Sequence, residues 1–321
     1  MSKINIQFPD SSIKSYNKRT SCFEIVKSIS NSLSKKVLVA SFNDKLIDLS
    51  TKLNEDGLIK FYTWDDDEGK STFWHSSAHI LAESVENIYP GVKFGIGPPI
   101  ANGFYYDIDF GKVDVPNIDL SKLEDKFKEL CLINSEFKRS EVSKKDALKY
   151  FTKKKDKYKL ELIDELEDGE ISFYEQGKFV DLCKGPHIPS TKYIKSVKIL
   201  NVAGAYWRGD EKNNQLTRLY AISFPKQKLL DDYLTKLEEA KKRDHRKLGK
   251  ELEIFTFDED IGPGLPLWLP NGSNLLEALE DLAKETESKA GYERVRTPHL
   301  TKGDLFSKSG HLDHYKESMY P

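Results

Sequence analysis

The stretch WDDDEGKST, residues 64–72, parts two regimes of hydrophobic spacing. Before it, apolar and polar residues alternate in short runs, the period of half-buried strands. After it, Trp74, Ala78, Leu81, Ala82, Val85 and Ile88 recur at steps of three, four and seven, which predicts a helix over 71–89. Ser71 or Thr72 suits its cap, and Tyr89-Pro90-Gly91 its end. A polar stretch carrying Gly69 between two such regimes marks a domain boundary.

Ahead of that boundary, KINIQF reads as a strand and FPDSS as a turn. CFEIVKSIS has Phe23, Val26 and Ile29 or Ser30 at helical spacing. KVLVASF, KLIDLS and LIKFYTW read as further strands, with NEDG as a turn. Two strands, a helix and more strands describe a small α+β fold of ubiquitin-like character over residues 1–64.

Behind the boundary, FGIGPPI and FYYDIDF are strand-like and flank Asn102-Gly103, a hairpin pair. Helices are expected at 119–133, 143–154 and 158–166. ISFYEQ, KFVDLC, VKILNVAGAYW and QLTRLYAISF are expected as strands, completing a larger α+β domain over 65–225. From Lys226 to Lys250 one long helix is expected, striped by Leu229, Leu230, Tyr233, Leu234, Leu237 and Ala240, with a basic end, KKRDHRKLGK. A Pro/Gly-rich loop, GPGLPLWLPNGS, precedes a further helix at about 274–290 and then YERVRTP.

Lys and Arg number 50 against 52 Asp and Glu, so the net charge of −2 excludes a general polyanion binder. Any contact with nucleic acid must come from local basic patches. Cys22, Cys131 and Cys183 are an odd, scattered set with no disulfide framework, which fits a reducing compartment. No apolar run nears the roughly 18 residues of a membrane span. The opening MSKINIQFPD lacks the apolar core of a signal peptide, so a soluble, cytoplasmic protein is expected.

Three clusters carry chemistry. His75 and His79 stand four apart on a predicted helix, so both imidazoles share one face. In FVDLCKGPH, Asp181, Cys183 and His187 gather at a strand end, with a turn at Gly185-Pro186. An isolated helix pair is more often plain surface, and an isolated cysteine more often inert core. Together, H-x3-H and C-x3-H offer four nitrogen or sulfur donors, which suits either a zinc site or a hydrolytic pocket in which imidazoles position a water. Spacing does not choose between the two. In NVAGAYWRGD, Tyr206, Trp207 and Arg208 lie between Gly204 and Gly209 and suit base stacking and phosphate binding, although a core strand with an edge arginine is the commoner role for such a segment.

HSSAH, IGPPIANGFYYDID, DLCKGPH, GAYWRGD and KRDHRKLGKEL make an ordered set. With it, essentially the whole chain resembles the front of the bacterial-type threonyl-tRNA synthetase family. The resemblance implies a TGS domain of β-grasp fold at 1–64 and an editing domain at 65–225. It implies a linker helix at 226–245 and the opening of a class II antiparallel-sheet catalytic domain at 246–321. It assigns His75, His79, Asp181, Cys183 and His187 to the editing site, together with Lys159 in KYKLEL and Tyr106 in GFYYD. KAGYERVRTPHL resembles class II motif 1, a helix and strand ending in Pro298 that usually builds a homodimer interface.

The same resemblance implies that the ATP-binding arginines and the zinc site for threonine lie beyond residue 321. Zinc, ATP and Mg are therefore expected for the remainder of the ligase, and no cofactor or metal for this segment. Its expected partners are tRNA(Thr) and mischarged Ser-tRNA(Thr). Serine is threonine without one methyl, a difference worth about 1–3 kcal/mol in a binding pocket, so a second, hydrolytic site is needed. Two other functions remain: a zinc-dependent trans-editing deacylase of the alanyl type, against which the first module and the motif 1 segment argue, and a non-catalytic tRNA-binding module.

Overall fold

The computed structural model describes residues 2–111, 113 and 115–318. The chain forms two compact units, Met1–Lys236 and Leu237–Pro321.

The first unit begins with strands β1 (Lys3–Gln7), β2 (Ile13–Asn17) and β3 (Thr20–Ser21), then helices α1 (Cys22–Ile29) and α2 (Asn31–Ser34). Strands β4 (Val39–Phe42), β5 (Lys45–Ile47), β6 (Lys52–Leu53) and β7 (Gly57–Tyr62) follow. Five of them form one sheet in the order β2-β1-β7-β4-β5, with β1 and β7 parallel. Alternate residues Ile4 and Ile6 of β1 point inward and meet Cys22, Ile25 and Val26 of α1 and Ile59 of β7. Ser21 and Glu24 satisfy each other's backbone at the start of α1, a capping box. A helix laid across a mixed sheet in this order is the β-grasp fold.

Helix α3 (Asp67–Ile88) comes next and is buried on nearly every side. It packs against strands of a second sheet and against α4 (Leu120–Ile133). Its start lies four residues before the expected one. Asp66, not Ser71 or Thr72, stands at the N-cap and its carboxylate turns back to the Thr63 backbone and hydroxyl, at 2.7 and 3.0 Å. Gly69 lies inside the helix, and the position takes glycine because a Cβ there would sit 1.7 Å from the Thr63 carbonyl oxygen.

The second sheet contains β8 (Lys93–Phe94), β9 (Pro99–Ile100) and β10 (Gly103–Asp109), the last two joined at Asn102-Gly103. The strand expected throughout FGIGPPI is interrupted between β8 and β9, where Gly95 and Ile96 still exchange backbone bonds with Asp107 but Pro98 has no N–H to donate. Next come β11 (Lys138–Glu141), α5 (Lys144–Lys154), α6 (Lys157–Asp164), β12 (Ser172–Gln176) and β13 (Phe179–Leu182). β11, β12 and β13 make a three-stranded sheet. Strands β14 (Ser196–Tyr206) and β15 (Gln215–Phe224) complete the larger sheet in the order β14-β15-β10-β8. Trp74 Nε1 donates to the Ser223 carbonyl and Ser77 Oγ meets Ser223 Oγ at 2.6 Å, which locks α3 onto β15.

The expected long helix is broken. Helix α7 (Gln227–Lys242) ends and α8 (His245–Glu251) begins after Asp244, whose carboxylate accepts the Arg246 N–H at 2.8 Å as an N-cap. The second unit also holds an antiparallel pair, β16 (Phe255–Thr256) and β17 (Leu267–Trp268), and helices α9 (Pro270–Lys289), α10 (Gly303–Lys308) and α11 (His311–Tyr315). The helix of the motif 1 resemblance is α9, but residues 292–300 form no strand. A strand needs a neighbour to take its hydrogen bonds, and none lies alongside among the described residues. No helix of the described residues is long and apolar enough to cross a membrane.

Candidate active site

Five elements of the first unit meet at one cavity. Helix α3 brings His75 and His79, β10 brings Tyr106, α6 brings Lys159, β13 brings Asp181 and the loop after it brings Cys183. These residues line about 370 Å³, closed on another wall by Ile96, Gly97, Pro98 and Pro99 between β8 and β9. His75, His79, Cys183 and His187 each place one donor atom within 4.8 Å of the others.

The histidine–cysteine side is a chain of short contacts. Cys183 Sγ lies 3.3 Å from His75 Nε2 and 3.3 Å from His187 Nε2, and it accepts the Gly185 N–H. On its far side, His187 Nδ1 lies 3.0 Å from Ser76 Oγ. Counting protons assigns the tautomer. The single Ser76 hydroxyl proton goes to the Thr72 carbonyl at 2.8 Å, and Ser76 Oγ accepts the Ile188 N–H at 3.0 Å. The remaining contact can be satisfied only if His187 Nδ1 carries its proton and donates. His187 Nε2 is then an acceptor, suited to the Cys183 S–H.

The other side is a buried ion pair. Lys159 Nζ lies 2.6 Å from Asp181 Oδ1 and donates to the Tyr106 hydroxyl at 3.2 Å. Tyr106 in turn donates to Asp181 Oδ2, and the Leu182 N–H donates to Oδ1. Lys159 and Asp181 are only 3% and 2% exposed, so neither charge is sustainable without the other. His79 Nε2 faces the same carboxylate at 3.9 Å, while its Nδ1 has no partner among the described residues.

Electrostatics follow from burial. Burial lowers His75 to about 4 and His79 to about 3, with Asp181 partly opposing both shifts. Burial also drives His187 well below its ordinary value, helped by the two neighbouring imidazoles. The Cys183 thiol is pushed up to about 12, again chiefly by burial. Burial alone would raise Asp181, but Lys159, His79 and the Tyr106 hydroxyl hold it below the usual carboxylate range. At neutral pH the site therefore holds three neutral imidazoles, a neutral thiol and one ionised pair. A neutral thiol is a poor nucleophile. Four donors so close could hold a metal only if the thiol lost its proton.

The expected site residues do not all converge. His187 lies behind Cys183, lining a second cavity of about 790 Å³ with Asp48, Phe137 and Arg139. Its ring stacks flat on Phe137, with centroids 4.9 Å apart. Tyr206, Trp207 and Arg208 do not line the first cavity. The base-stacking role expected of Trp207 is corrected: it is buried, packs on Tyr158 and donates its indole N–H to Glu161 at 2.7 Å. Arg208 pairs with Glu165, and Tyr206 is exposed.

Asp48, Ser76 and Tyr174 went unread. Ser76 sat in view inside HSSAH, but serine in a helix carries no signal until a tertiary partner is known. The Asp48 carboxylate, from the β-grasp domain, accepts the His187 N–H at 2.8 Å and the Tyr174 hydroxyl at 2.7 Å.

Two families of domains match the sequence. Residues 4–63 match the TGS domain, and residues 171–220 match the "Threonyl and Alanyl tRNA synthetase second additional domain". The second span contains Asp181, Cys183 and His187 and excludes the α3 histidines. The chain is 55% identical over 317 residues to a threonine–tRNA ligase of Cytophaga hutchinsonii, covering 99% of this chain and 49% of that protein. It is 51% identical over 319 residues to that of Parabacteroides distasonis (99% and 49%) and 51% over 312 residues to that of Flavobacterium psychrophilum (97% and 48%). The chain spans about half the length of the curated relatives it matches. It carries a TGS domain and a match to the second additional domain, and along almost its whole length it is similar to about half the length of each of the threonine–tRNA ligases named above.

Proposed function

We propose that the 370 Å³ cavity hydrolyses the ester of mischarged Ser-tRNA(Thr), as the editing site of a threonine–tRNA ligase. The observation that carries this reading is the pairing, across one cavity, of a neutral imidazole–thiol network with a buried Lys159–Asp181 ion pair. The volume is at the lower end of ligand pockets, about 300–1,000 Å³, which suits an aminoacylated ribose rather than a whole acceptor stem.

In this reading water attacks the ester carbonyl carbon and the bond to the ribose oxygen breaks. The leaving oxygen gains a proton, releasing serine and tRNA. His75 and His79 are neutral, so they can orient that water and the terminal ribose by hydrogen bonds. Lys159 spends two of its three protons on Asp181 and Tyr106 and keeps one N–H for the developing oxyanion. Asp181 has one carboxylate lone pair left for the seryl amine. Cys183 positions rather than attacks, and His187 supports it from behind. Threonine is refused for want of room for its methyl.

ATP- and Mg-dependent threonylation, a zinc site for threonine, a homodimer and a cytoplasmic setting belong to this proposal only for a protein of the relatives' full length. The test is deacylation of Ser-tRNA(Thr) and Thr-tRNA(Thr) by the purified chain. Loss of serine with threonine spared supports the reading; hydrolysis of neither, with tRNA still bound, overturns it for this chain. The close donor cluster favours one alternative, a zinc-dependent deacylase. Stoichiometric zinc that is needed for hydrolysis would select it.

A further inference from the structure

The β-grasp domain reaches into the candidate site through one side chain. Asp48 follows β5, and its two carboxylate oxygens divide their work: Oδ1 accepts the His187 N–H at 2.8 Å and Oδ2 accepts the Tyr174 hydroxyl at 2.7 Å. Both partners belong to the shell around His187. The Tyr174 ring meets the His187 ring edge-on, with centroids 4.4 Å apart. Its hydroxyl fills the space above Gly185, where a Cβ would lie 2.0 Å away, and Gly185 has a φ of +70. The same loop residue donates its N–H to Cys183 Sγ. Asp48 therefore holds the backbone of His187 directly, and through Tyr174 it holds the bend that supports the Cys183 sulfur. The His187 ring is held separately, by Ser76 on one nitrogen and Phe137 on one face.

We propose that Asp48 is a positioning residue for the ester-hydrolysing site, so that the β-grasp domain is a structural part of that site. This rests on the proposed function above. A carboxylate suits the task because it offers only acceptors, and both groups that face it are donors. It touches neither the first cavity nor any reacting atom, so its effect must pass through the Gly185–His187 backbone. The expected consequence is a loss of turnover with little change in substrate affinity, since misplacement by about 1 Å can cost on the order of a hundredfold in rate.

The test uses the full chain with Asp48→Ala and Asp48→Asn. Three quantities are read: amide hydrogen exchange of the segment 183–190, the imidazole nitrogen shifts of His187, and kcat and KM for Ser-tRNA(Thr) deacylation. Asp48→Ala is expected to speed exchange at His187 about tenfold or more, to shift its imidazole signals and to lower kcat about 10- to 100-fold with KM within about twofold. Asp48→Asn keeps an oxygen for the His187 N–H and is expected to recover most of the lost turnover. If Asp48→Ala does not fold, Tyr174→Phe carries the test, because it releases the same carboxylate from one side only and leaves β5 untouched. Unchanged exchange and kcat in the folded Ala variant overturn the proposal. So does a loss that the Asn variant shares in full. If the unaltered chain hydrolyses no ester, the functional reading has failed, and the exchange and imidazole measurements alone then decide whether Asp48 positions His187.

Discussion

Ser76 Oγ and His187 Nδ1 stand 3.0 Å apart inside the protein, and the serine's own proton is already committed to Thr72. The hydroxyl therefore acts at this contact as an acceptor, for His187 and for the Ile188 N–H together. Ser76→Ala leaves two buried donors without a partner, each costing about 1–3 kcal/mol. Urea unfolding should show a loss of that order, with deacylation reduced in the protein that remains folded. A change within about 0.5 kcal/mol, the range of an inert surface substitution, would contradict the assigned tautomer.

The three site histidines make stability fall on the acid side. Each has a folded value below its ordinary 6.5, so the unfolded chain binds protons more readily. Stability is then full above about pH 6.5 and is lost as pH falls toward about 4 for His75 and about 3 for His79. The slope approaches about 1.4 kcal/mol per pH unit for each histidine. Deacylation should stay flat from pH 7.5 to about 6, since the imidazoles remain neutral. An activity titrating near pH 6.5 would show that one of them is ordinary.

Cys183 should resist alkylation. With the thiol pushed up to about 12, almost none is thiolate at pH 7.5. Iodoacetamide labelling, followed by mass spectrometry, should be far slower than for a free thiol of ordinary acidity. Cys183→Ser should keep part of the deacylation activity, because a hydroxyl can still bridge the imidazoles. Complete loss together with a trapped acyl-enzyme would make the sulfur a nucleophile.

Removing the Lys159 charge should be costly. Lys159→Met leaves the Asp181 carboxylate buried without a counter-charge, a change worth about 3–5 kcal/mol. Lys159→Met combined with Asp181→Asn should recover much of that stability and none of the activity. A double variant no more stable than the single one would mean that the pair is not coupled.

Gly69→Ala should destabilise the first unit although alanine is the better helix former. The added carbon would meet the Thr63 carbonyl at 1.7 Å, and relieving such overlap costs about 1–3 kcal/mol or more. Thermal melts of the two proteins settle this, and an increase in stability would contradict the described packing.

Much of the site was legible because its spacing is chemical. A step of four from His75 to His79 means one helix face, and a step of four from Cys183 to His187 across Gly-Pro means one loop. The alternation in KINIQF and the NG pair likewise announced a strand and a hairpin. What stayed hidden depends on distant partners. Strand β11, KRSE, is wholly exposed and polar, so it shows no alternation. Trp207 looked like a stacking platform because nothing local reveals Glu161, 46 residues away. Asp48 lay in a run read as a plain strand, 139 residues from the amide it holds. The break before α8 falls at Asp244, past Ala240 where the apolar stripe ends, inside the basic run that reads as a continuation of the helix.

Helix α3 has almost no face turned to water, and its five residues from His75 to His79 answer to partners spread between Asp181 and Ser223. A helix with so little solvent-facing surface gains most of its stability from tertiary neighbours. Contacts of such long range are closed late in folding. A ribosome-bound chain that has not yet delivered residues 181–223 would lack both the sulfur and the sheet that this helix leans on. If the proposed hydrolysis holds, competence to cut an ester would thus arrive in one step with the folded domain, and a growing chain would hold no half-built site.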